Sequence, residues 1–368
     1  RDVTGVQTCA LPIYSLEASM RRSDTKILTT HIGNLPILDG MDFIADDDAK
    51  LAASVAAVVK KQRDIGIDII NEGEYTKGGD WLSFVEKRFS GFEPRPWPAD
   101  QKPVLLQGKD REEFADFYQY AQETGKLFYI PTKQILHERR PIWVCTSKID
   151  YVGQKDLKRE IELTKQAAGG AEAFLTSTAP ASLEPYRRNE FYKTELDFLQ
   201  AIADALAVEY RTIVDSGLIL QIDDAWLPAL WDRIGMQMGL ENFKRRCMTR
   251  VEILNSALKG LPEDRVRYHL CWGSWHGPHA YDLELEKIVD VMLAVKAGAY
   301  LIEGANVRHE HEWNVWEKTK LPAGKILIPG VITHSTDLIE HPELVSQRIQ
   351  RYAKVVGREN FKIGRAHG

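Results

Sequence analysis

The sequence predicts an α/β protein built as a (β/α)8 TIM barrel in a single domain. From Thr25 onward, eight short β-rich runs alternate with longer amphipathic stretches, which is typical of parallel strands joined by crossover helices. The runs are almost continuously apolar, as expected of strands buried on both faces. An open doubly wound sheet is the alternative, but the glycine-rich phosphate loop expected after its first strand is absent.

The predicted strands are KILTTHIG (26–33), IDIINEGE (67–74), PIWVCTSKI (141–149), EAFLTST (172–178), LILQIDD (218–224), VRYHLCWG (266–273), AYLIEGAN (299–306) and KILIPGVITHS (325–335). The predicted helices each end at a glycine and cover 49–66, 195–217, 281–298 and 341–357. The segment at about 90–140 breaks this rhythm with FEPRPWPAD and FADFYQYAQ. It is interpreted as an excursion over the barrel mouth, not as a second domain.

Composition excludes several classes of partner. The 368 residues carry a formal net charge of −5, so no basic footprint for nucleic acid or an anionic membrane is present. No run approaches the roughly 18 apolar residues of a membrane span. The four cysteines, at irregular spacing, do not form a disulfide framework and favour a reducing, cytoplasmic location. Small-molecule substrates are the expected partners.

Both termini look foreign to the fold. Residues 1–13 and the closing segment 363–368 resemble translated sequencing-adapter tails. Residues 1–19 are therefore predicted to be artefactual or disordered and 363–368 to be artefactual, with Met20 as a plausible start. The predicted barrel domain therefore covers 20–362.

The sharpest chemical signal lies at the ends of two neighbouring predicted strands. In His269-Leu270-Cys271, residues i and i+2 point to the same side of a strand, so imidazole and thiolate can bind one metal. Glu303 ends the next strand, one crossover unit later. A nitrogen, sulfur and oxygen donor set suits zinc. The structural alternative is a barrel-lining histidine beside an inert buried cysteine.

Other strand ends also carry acids. Asp223 and Asp224 point to opposite faces, so Asp223 is predicted to enter the site, whereas Asp224 could cap the following turn. Glu74 could hold a substrate ammonium group or form a structural ion pair. His334 ends the last predicted strand and could act as a general acid.

The histidines of two loops, His309 and His311 in one and His276 and His279 in the other, are assigned no metal role. The loops RHEHEW (308–313) and CWGSWHGPHAYD (271–282) are predicted to be mainly solvated segments. Substrate contact is the alternative for both.

The chain carries, in order, the motifs TTHIG, EGE, QID, H-L-C, IEG and G-V-I-T-H-S. Together these motifs resemble the catalytic barrel of the cobalamin-independent methionine synthase family, over about residues 25–362. The short single-barrel members are the most similar. The resemblance implies methionine biosynthesis, in which a zinc-bound homocysteine thiolate attacks the methyl group of 5-methyltetrahydrofolate (polyglutamate). The zinc ligands that it implies are His269, Cys271 and Glu303, and His334 matches the proton donor. The implied homocysteine-binding residues are Ile32, Gly33, Asn34, Glu74 and Asp223.

The sequence also departs from the family pattern. The family turn usually has serine where this chain has Asn34, and Ala229 stands where a folate-contacting acid would fall. No tryptophan for pterin stacking is evident in STAPASLEPY (177–186). The family supplies a fourth zinc ligand as a cysteine in an Asp-Cys-Gly turn. Here FKIG (361–364) looks like the preceding strand, and truncation of that turn is the favoured interpretation; water, a substrate thiolate or His367 are the alternatives.

Three other functions stay open. A thiol alkyltransferase of the coenzyme M–epoxide type would keep zinc but use a different thiol or donor. A uroporphyrinogen-decarboxylase-like barrel would not need the His-x-Cys motif. A truncated, non-catalytic barrel would bind no zinc.

Overall fold

The computed structural model describes residues 19–41, 47–78, 82–98, 101, 103–124, 141–275, 277–333, 336 and 338–365. The predicted artefactual residues 1–18 and 366–368 lie outside this range. Residues 363–365 lie within it and belong to a strand.

Parallel strands dominate the described part of the chain. Seven of them form one curled sheet in the order β1-β10-β9-β8-β7-β6-β4, and every pairing in it is parallel. Its strands are β1 (Leu28–Thr29), β4 (Phe174–Thr178), β6 (Ile219–Asp224), β7 (Val266–Leu270), β8 (Ala299–Ile302), β9 (Ile326–Ile332) and β10 (Lys362–Arg365). The α/β class predicted from the sequence is confirmed.

The predicted run at 67–74 is not a regular strand, but it contacts both edge strands. The backbone N–H of Ile69 donates to Thr29 O at 3.0 Å, next to β1. The N–H of Phe174, in β4, donates to Ile70 O at 3.0 Å. The run therefore lies between β1 and β4, although only Ile70 forms a β-bridge, with Ala173.

A second, small sheet corrects one predicted barrel strand. The run PIWVCTSKI contributes β3 (Ile142–Cys145), which pairs with β2 (Phe92–Arg95) and β5 (Arg187–Asn189) and not with the large sheet. An apolar run of this length reports burial but not its pairing partner. The terminal run FKIG instead supplies β10, between β1 and β9.

The described helices are α1 (Asp48–Asp64), α2 (Ser83–Glu86), α3 (Lys109–Glu113), α4 (Ala115–Thr124), α5 (Gln154–Ala168), α6 (Pro180–Leu183), α7 (Glu195–Asp215), α8 (Met236–Met238), α9 (Leu240–Ala257), α10 (Leu285–Leu293), α11 (Val315–Lys318) and α12 (Pro342–Val356). Of these, α1, α5, α7, α9 and α10 pack one against the next. Side-chain caps begin three of the long ones, where Asp47, Thr194 and His341 accept backbone N–H groups of α1, α7 and α12.

The core has two layers. One cluster fills the space between the sheet and the helices, and a smaller one collects side chains from β1, the 67–71 segment, β4, β6, β8 and β9. The second layer lies on the concave side of the sheet, so the curled sheet is packed inside. No helix in the described ranges is long and apolar enough to cross a membrane.

Candidate active site

The register of the central strands brings Asp223 and His269 together. Asp223 of β6 lies directly opposite His269 of β7. The Nδ1 atom of His269 is 2.9 Å from Oδ1 of Asp223, and both side chains are largely buried. The carboxylate accepts the Nδ1–H proton and therefore favours the tautomer whose Nε2 carries a lone pair.

The Nε2 atom of His269 is the first sign of a ligand site. It is buried and finds no hydrogen-bond partner within the described residues. A buried acceptor without a partner costs about 1–3 kcal/mol, so such atoms in a folded protein call for an explanation.

Cys271 lies just beyond the end of β7. Its backbone N–H donates to Asp224 O at 3.1 Å, which continues the pairing with β6. Its Sγ accepts the N–H of Gly273 at 3.3 Å. Burial raises the pKa of the Cys271 thiol to about 12, opposed by the Gly273 N–H and assisted by the carboxylates of Asp223 and Glu303. Without an added cation this thiol stays protonated at neutral pH.

Glu303 lies just beyond β8, the neighbour of β7. Because His269 is opposite Leu301, the register continued by two residues brings Glu303 beside Cys271. Its Oε1 accepts three backbone N–H groups at 2.6–2.8 Å, from Gly304, Ala305 and Asn306. Its buried Oε2 has no partner among the described residues. Burial raises the pKa of Glu303 in spite of these N–H groups.

These side chains fit zinc by donor type, although they are not assembled around an ion. Among the described residues, no group of three or more His, Cys, Asp or Glu side chains is arranged to hold a metal. The buried atoms without partners, on His269 and Glu303, are nevertheless the nitrogen and oxygen donors that zinc accepts beside a thiolate.

Glu74 marks a second part of the site. It is buried and has a φ of 60°, the sole left-handed non-glycine backbone in the described ranges. Such strain persists where the surrounding structure enforces it, often at functional sites. Oε1 of Glu74 accepts the Thr176 hydroxyl at 2.8 Å, and Oε2 lies 3.4 Å from Nδ2 of Asn34. Burial raises its pKa to about 7, with Asp223 and Glu72 adding to the shift and Lys77 opposing it.

The turn at Ile32-Gly33-Asn34 faces Glu74. Gly33 has a φ of 133°, and a Cβ there would lie 2.7 Å from Cγ2 of Thr176 and 3.0 Å from Oε1 of Glu74. Only glycine allows this close approach. The carbonyl of Ile32 accepts a hydrogen bond from Nε2 of Gln221, which also donates to Oδ1 of Asp223 at 2.7 Å. Gln221 therefore connects this turn to the Asp223–His269 pair.

The neighbouring acids have structural partners. Asp224 points away from His269 and accepts hydrogen bonds from Ser182, Leu227 and Tyr268. Of the two alternatives for this residue, the turn-capping one agrees with these bonds. Glu72 is fully buried and accepts the Thr76 hydroxyl at 2.9 Å.

The two histidine-containing loops were predicted to be mainly solvated. They instead form a buried ionic cluster beside the site. His309 lies 2.9 Å from Glu312 and 3.1 Å from Asp282, which also contacts His279 at 2.8 Å. Burial alone would lower the pKa of His309, but its hydrogen bonds to these two acids raise it to about 9. His311 is exposed, as predicted for that loop.

Three histidines that were considered for the site, His276, His334 and His367, lie outside the described residues. The predicted proton donor His334 is among them, so its role stays a prediction.

Comparison with known proteins finds similarity to methionine synthases. No family model matches this chain. The methionine synthase of Sulfolobus acidocaldarius is 24% identical over 238 residues, 64% of this chain and 56% of that protein. The methionine synthase of Saccharolobus islandicus is 26% identical over 250 residues, 67% of this chain and 60% of that protein. The chain thus spans about three fifths of the length of these curated relatives.

Two solved structures share the fold. The B12-independent methionine synthase of Shewanella sp. W3-18-1, in complex with selenomethionine, superposes with a TM-score of 0.63 at 16% identity, covering 93% of this chain and 90% of that chain. The putative B12-independent methionine synthase of Listeria monocytogenes gives 0.60 at 17% identity, covering 93% and 92%. This chain is similar to the methionine synthases in sequence and in fold. The family resemblance predicted from the motifs is confirmed.

Three residues that support the candidate site were not predicted from the sequence. Gln221, Thr176 and Lys77 are buried polar side chains that contact predicted site residues or each other. Gln221 and Thr176 lie in strands that are otherwise apolar. A polar residue that faces the concave side of such a strand was the signal by which they could have been found. Lys77 follows the EGE motif by three residues and gave no distinct signal.

Proposed function

We propose that this chain is a zinc-dependent methyltransferase that moves the methyl group of 5-methyltetrahydrofolate, in its polyglutamate form, to the thiol of homocysteine and so forms methionine. The observation that carries the proposal is the buried Nε2 of His269, which has no partner among the described residues while Asp223 holds Nδ1. A carboxylate on the other ring nitrogen is typical of metal-ligating histidines. The names of the curated relatives support the reaction.

His269, Cys271 and Glu303 would hold the zinc ion. When bound, zinc lowers the pKa of a coordinated thiol, so that a thiol nucleophile forms at neutral pH. The protein prepares two of its ligands in advance: Asp223 orients the His269 ring, and three backbone N–H groups fix one oxygen of Glu303. A fourth ligand from a following cysteine stays a prediction.

The acceptor site consists of the Ile32-Gly33-Asn34 turn with Glu74 and Asp223. Two carboxylates at the same site suit the ammonium group of an amino acid. Because Gly33 has no Cβ, its backbone can lie close to the Glu74 carboxylate. Gln221 connects the turn to Asp223 through hydrogen bonds to Ile32 and Asp223. We assign His334 as the acid that protonates the leaving nitrogen, because a methyl group on a tertiary amine is otherwise a poor electrophile.

We also propose that the sheet closes into a complete (β/α)8 barrel. Hydrogen bonds from the 67–71 segment to residues at both edge strands support closure. Further support comes from Arg267 of β7, which donates to Thr30 and His31 after β1, across the concave side. The domain bounds 20–362 and a cytoplasmic location stay predictions; the described cysteines, Cys145, Cys247 and Cys271, form no disulfide.

The test is methionine formation by the purified chain from homocysteine and methyltetrahydrofolate, with zinc supplied. The matched variants are Cys271→Ser and Cys247→Ser. Cys247 is buried on α9 and has no proposed role, so only the Cys271 variant should lose activity. Absence of methionine from the wild-type chain, or loss in both variants alike, would contradict the proposal.

A second candidate keeps zinc and the acceptor site but uses a different alkyl donor. Ala229, which is buried, stands where a folate-contacting acid is expected from the family pattern. Methylation of homocysteine by another methyl donor, with no turnover of methyltetrahydrofolate, would select this candidate.

A further inference from the structure

A chain of buried hydrogen bonds leads from Lys77 to Glu74. Nζ of Lys77 lies 2.6 Å from both the carbonyl and the hydroxyl oxygen of Thr176. The Thr176 hydroxyl lies 2.8 Å from Oε1 of Glu74. Lys77 also forms an ion pair with Glu160 of α5 at 2.9 Å.

The direction of these bonds follows from chemistry alone. A lysine ammonium group has three donors and no acceptor, so the Thr176 hydroxyl must accept from Lys77. Its single hydrogen is then available only for donation, and Oε1 of Glu74 receives it. The contact with Lys77 thus sets the orientation of the hydroxyl, and the hydroxyl sets that of the carboxylate.

Resting on the proposed function, we propose that Lys77 is a positioning residue that fixes Glu74, through Thr176, to receive the ammonium group of the acceptor. Glu74 occupies a strained left-handed backbone conformation and therefore needs such an external restraint. Lys77 does not touch the acceptor; it acts through Thr176.

Charge supports the same role. The carboxylates around Lys77 are those of Glu72, Glu74 and Glu160. Arg88, which pairs with Glu160, is the neighbouring cation. Asp223 faces Glu74 from β6 and raises its pKa, whereas Lys77 lowers it. Removal of the ammonium group would therefore favour the protonated form of Glu74, which cannot pair with a cation.

The variant Thr176→Val distinguishes a positioning role of Lys77 from a purely structural one. Arg88 also pairs with Glu160, at 2.7 Å, so we expect part of the ion-pair network beneath the site to persist when Lys77 is replaced. Thr176→Val leaves the Lys77–Glu160 pair intact and removes only the hydroxyl link. It therefore separates positioning from stability, and it serves if Lys77→Met does not fold.

The experiment compares Lys77→Met and Thr176→Val with two controls. Thr176→Ser restores the hydroxyl, and Lys60→Met removes an exposed lysine that pairs with Asp64 on α1. For the two test variants we expect the KM for homocysteine to rise about 10-fold to 100-fold, the range for loss of a hydrogen bond to a charged group, with little change in kcat. Thr176→Ser should recover most of the loss and Lys60→Met should show none.

A second readout does not depend on catalysis. Infrared titration of the Glu74 carboxyl, assigned by difference against Glu74→Gln, should show a higher pKa in Lys77→Met and Thr176→Val than in wild type. An unchanged Glu74 titration in folded variants, or equal behaviour of Thr176→Val and Thr176→Ser, would overturn the role of Lys77. If the wild-type chain made no methionine while the Glu74 titration shifted as expected, the proposed function would fail and the Lys77–Thr176–Glu74 link would stand.

Discussion

Replacing Asp223 with asparagine tests how the protein prepares its proposed zinc ligand. Oδ1 of Asp223 receives both Nε2–H of Gln221 at 2.7 Å and Nδ1–H of His269 at 2.9 Å. In Asp223→Asn, the Gln221 donor keeps the amide oxygen in that position. The hydrogen bond to His269 then survives and only the negative charge is lost. Loss of such a supporting carboxylate weakens metal binding by about 10-fold to 100-fold, or about 1.4–2.7 kcal/mol.

The adjacent aspartate provides a matched control. Asp224 is buried and accepts three hydrogen bonds on the opposite side of β6. Asp224→Asn should therefore lower the free energy of unfolding by about 1–3 kcal/mol and leave zinc affinity nearly unchanged. Zinc affinity is measured by competition with a chromophoric chelator, and stability by urea unfolding. Equal zinc affinity in wild type and Asp223→Asn, or a larger loss in Asp224→Asn, would show that Asp223 does not support a zinc ligand.

Three further predictions concern the acceptor site and the loop cluster. Because burial raises the pKa of Glu74 to about 7, its carboxyl is neutral below and anionic above that pH; kcat/KM for homocysteine should rise between pH 6 and pH 8, and Glu74→Gln should abolish the rise. Gly33→Ala should destabilise the fold by about 1–3 kcal/mol and raise the KM for homocysteine, whereas Gly40→Ala, with no atom within 4 Å of its Cβ, should leave KM unchanged. The pKa of His309 in the folded protein, about 9, exceeds its ordinary value of 6.5. Protonated His309 therefore contributes fully to the free energy of unfolding below pH 6.5, and this contribution is lost as the pH rises through 9. A urea-unfolding series in which His309→Gln shows the same pH dependence as wild type would contradict this.

The sequence predicted most of the large sheet because its strands are apolar on both faces. Six of the predicted runs contain strands of that sheet. The run at 141–149 was wrongly assigned to it, since its partners at 92–95 and 187–189 are far away in sequence and no local pattern reports them. The terminal strand β10 was recognised from its family position and not from length or periodicity.

Parts of the candidate site were predictable because acidic, histidine and cysteine side chains lie at the ends of strands. Strand periodicity predicted that Asp223 and Asp224 point to opposite faces, but the pairing of Asp223 with His269 became known only from the register of β6 and β7. The strained backbone of Glu74 and the support from Lys77 and Thr176 were not predictable. They depend on tertiary contacts between residues about a hundred positions apart in the chain.

Zinc binding by His269, Cys271 and Glu303 can be measured directly, by loading the chain with zinc and determining its ligands by X-ray absorption at the zinc edge. We expect stoichiometric zinc with nitrogen, sulfur and oxygen donors, and loss of the sulfur signal in Cys271→Ser but not in Cys247→Ser. A chain that binds no zinc, or whose zinc environment is the same in wild type and Cys271→Ser, would contradict it.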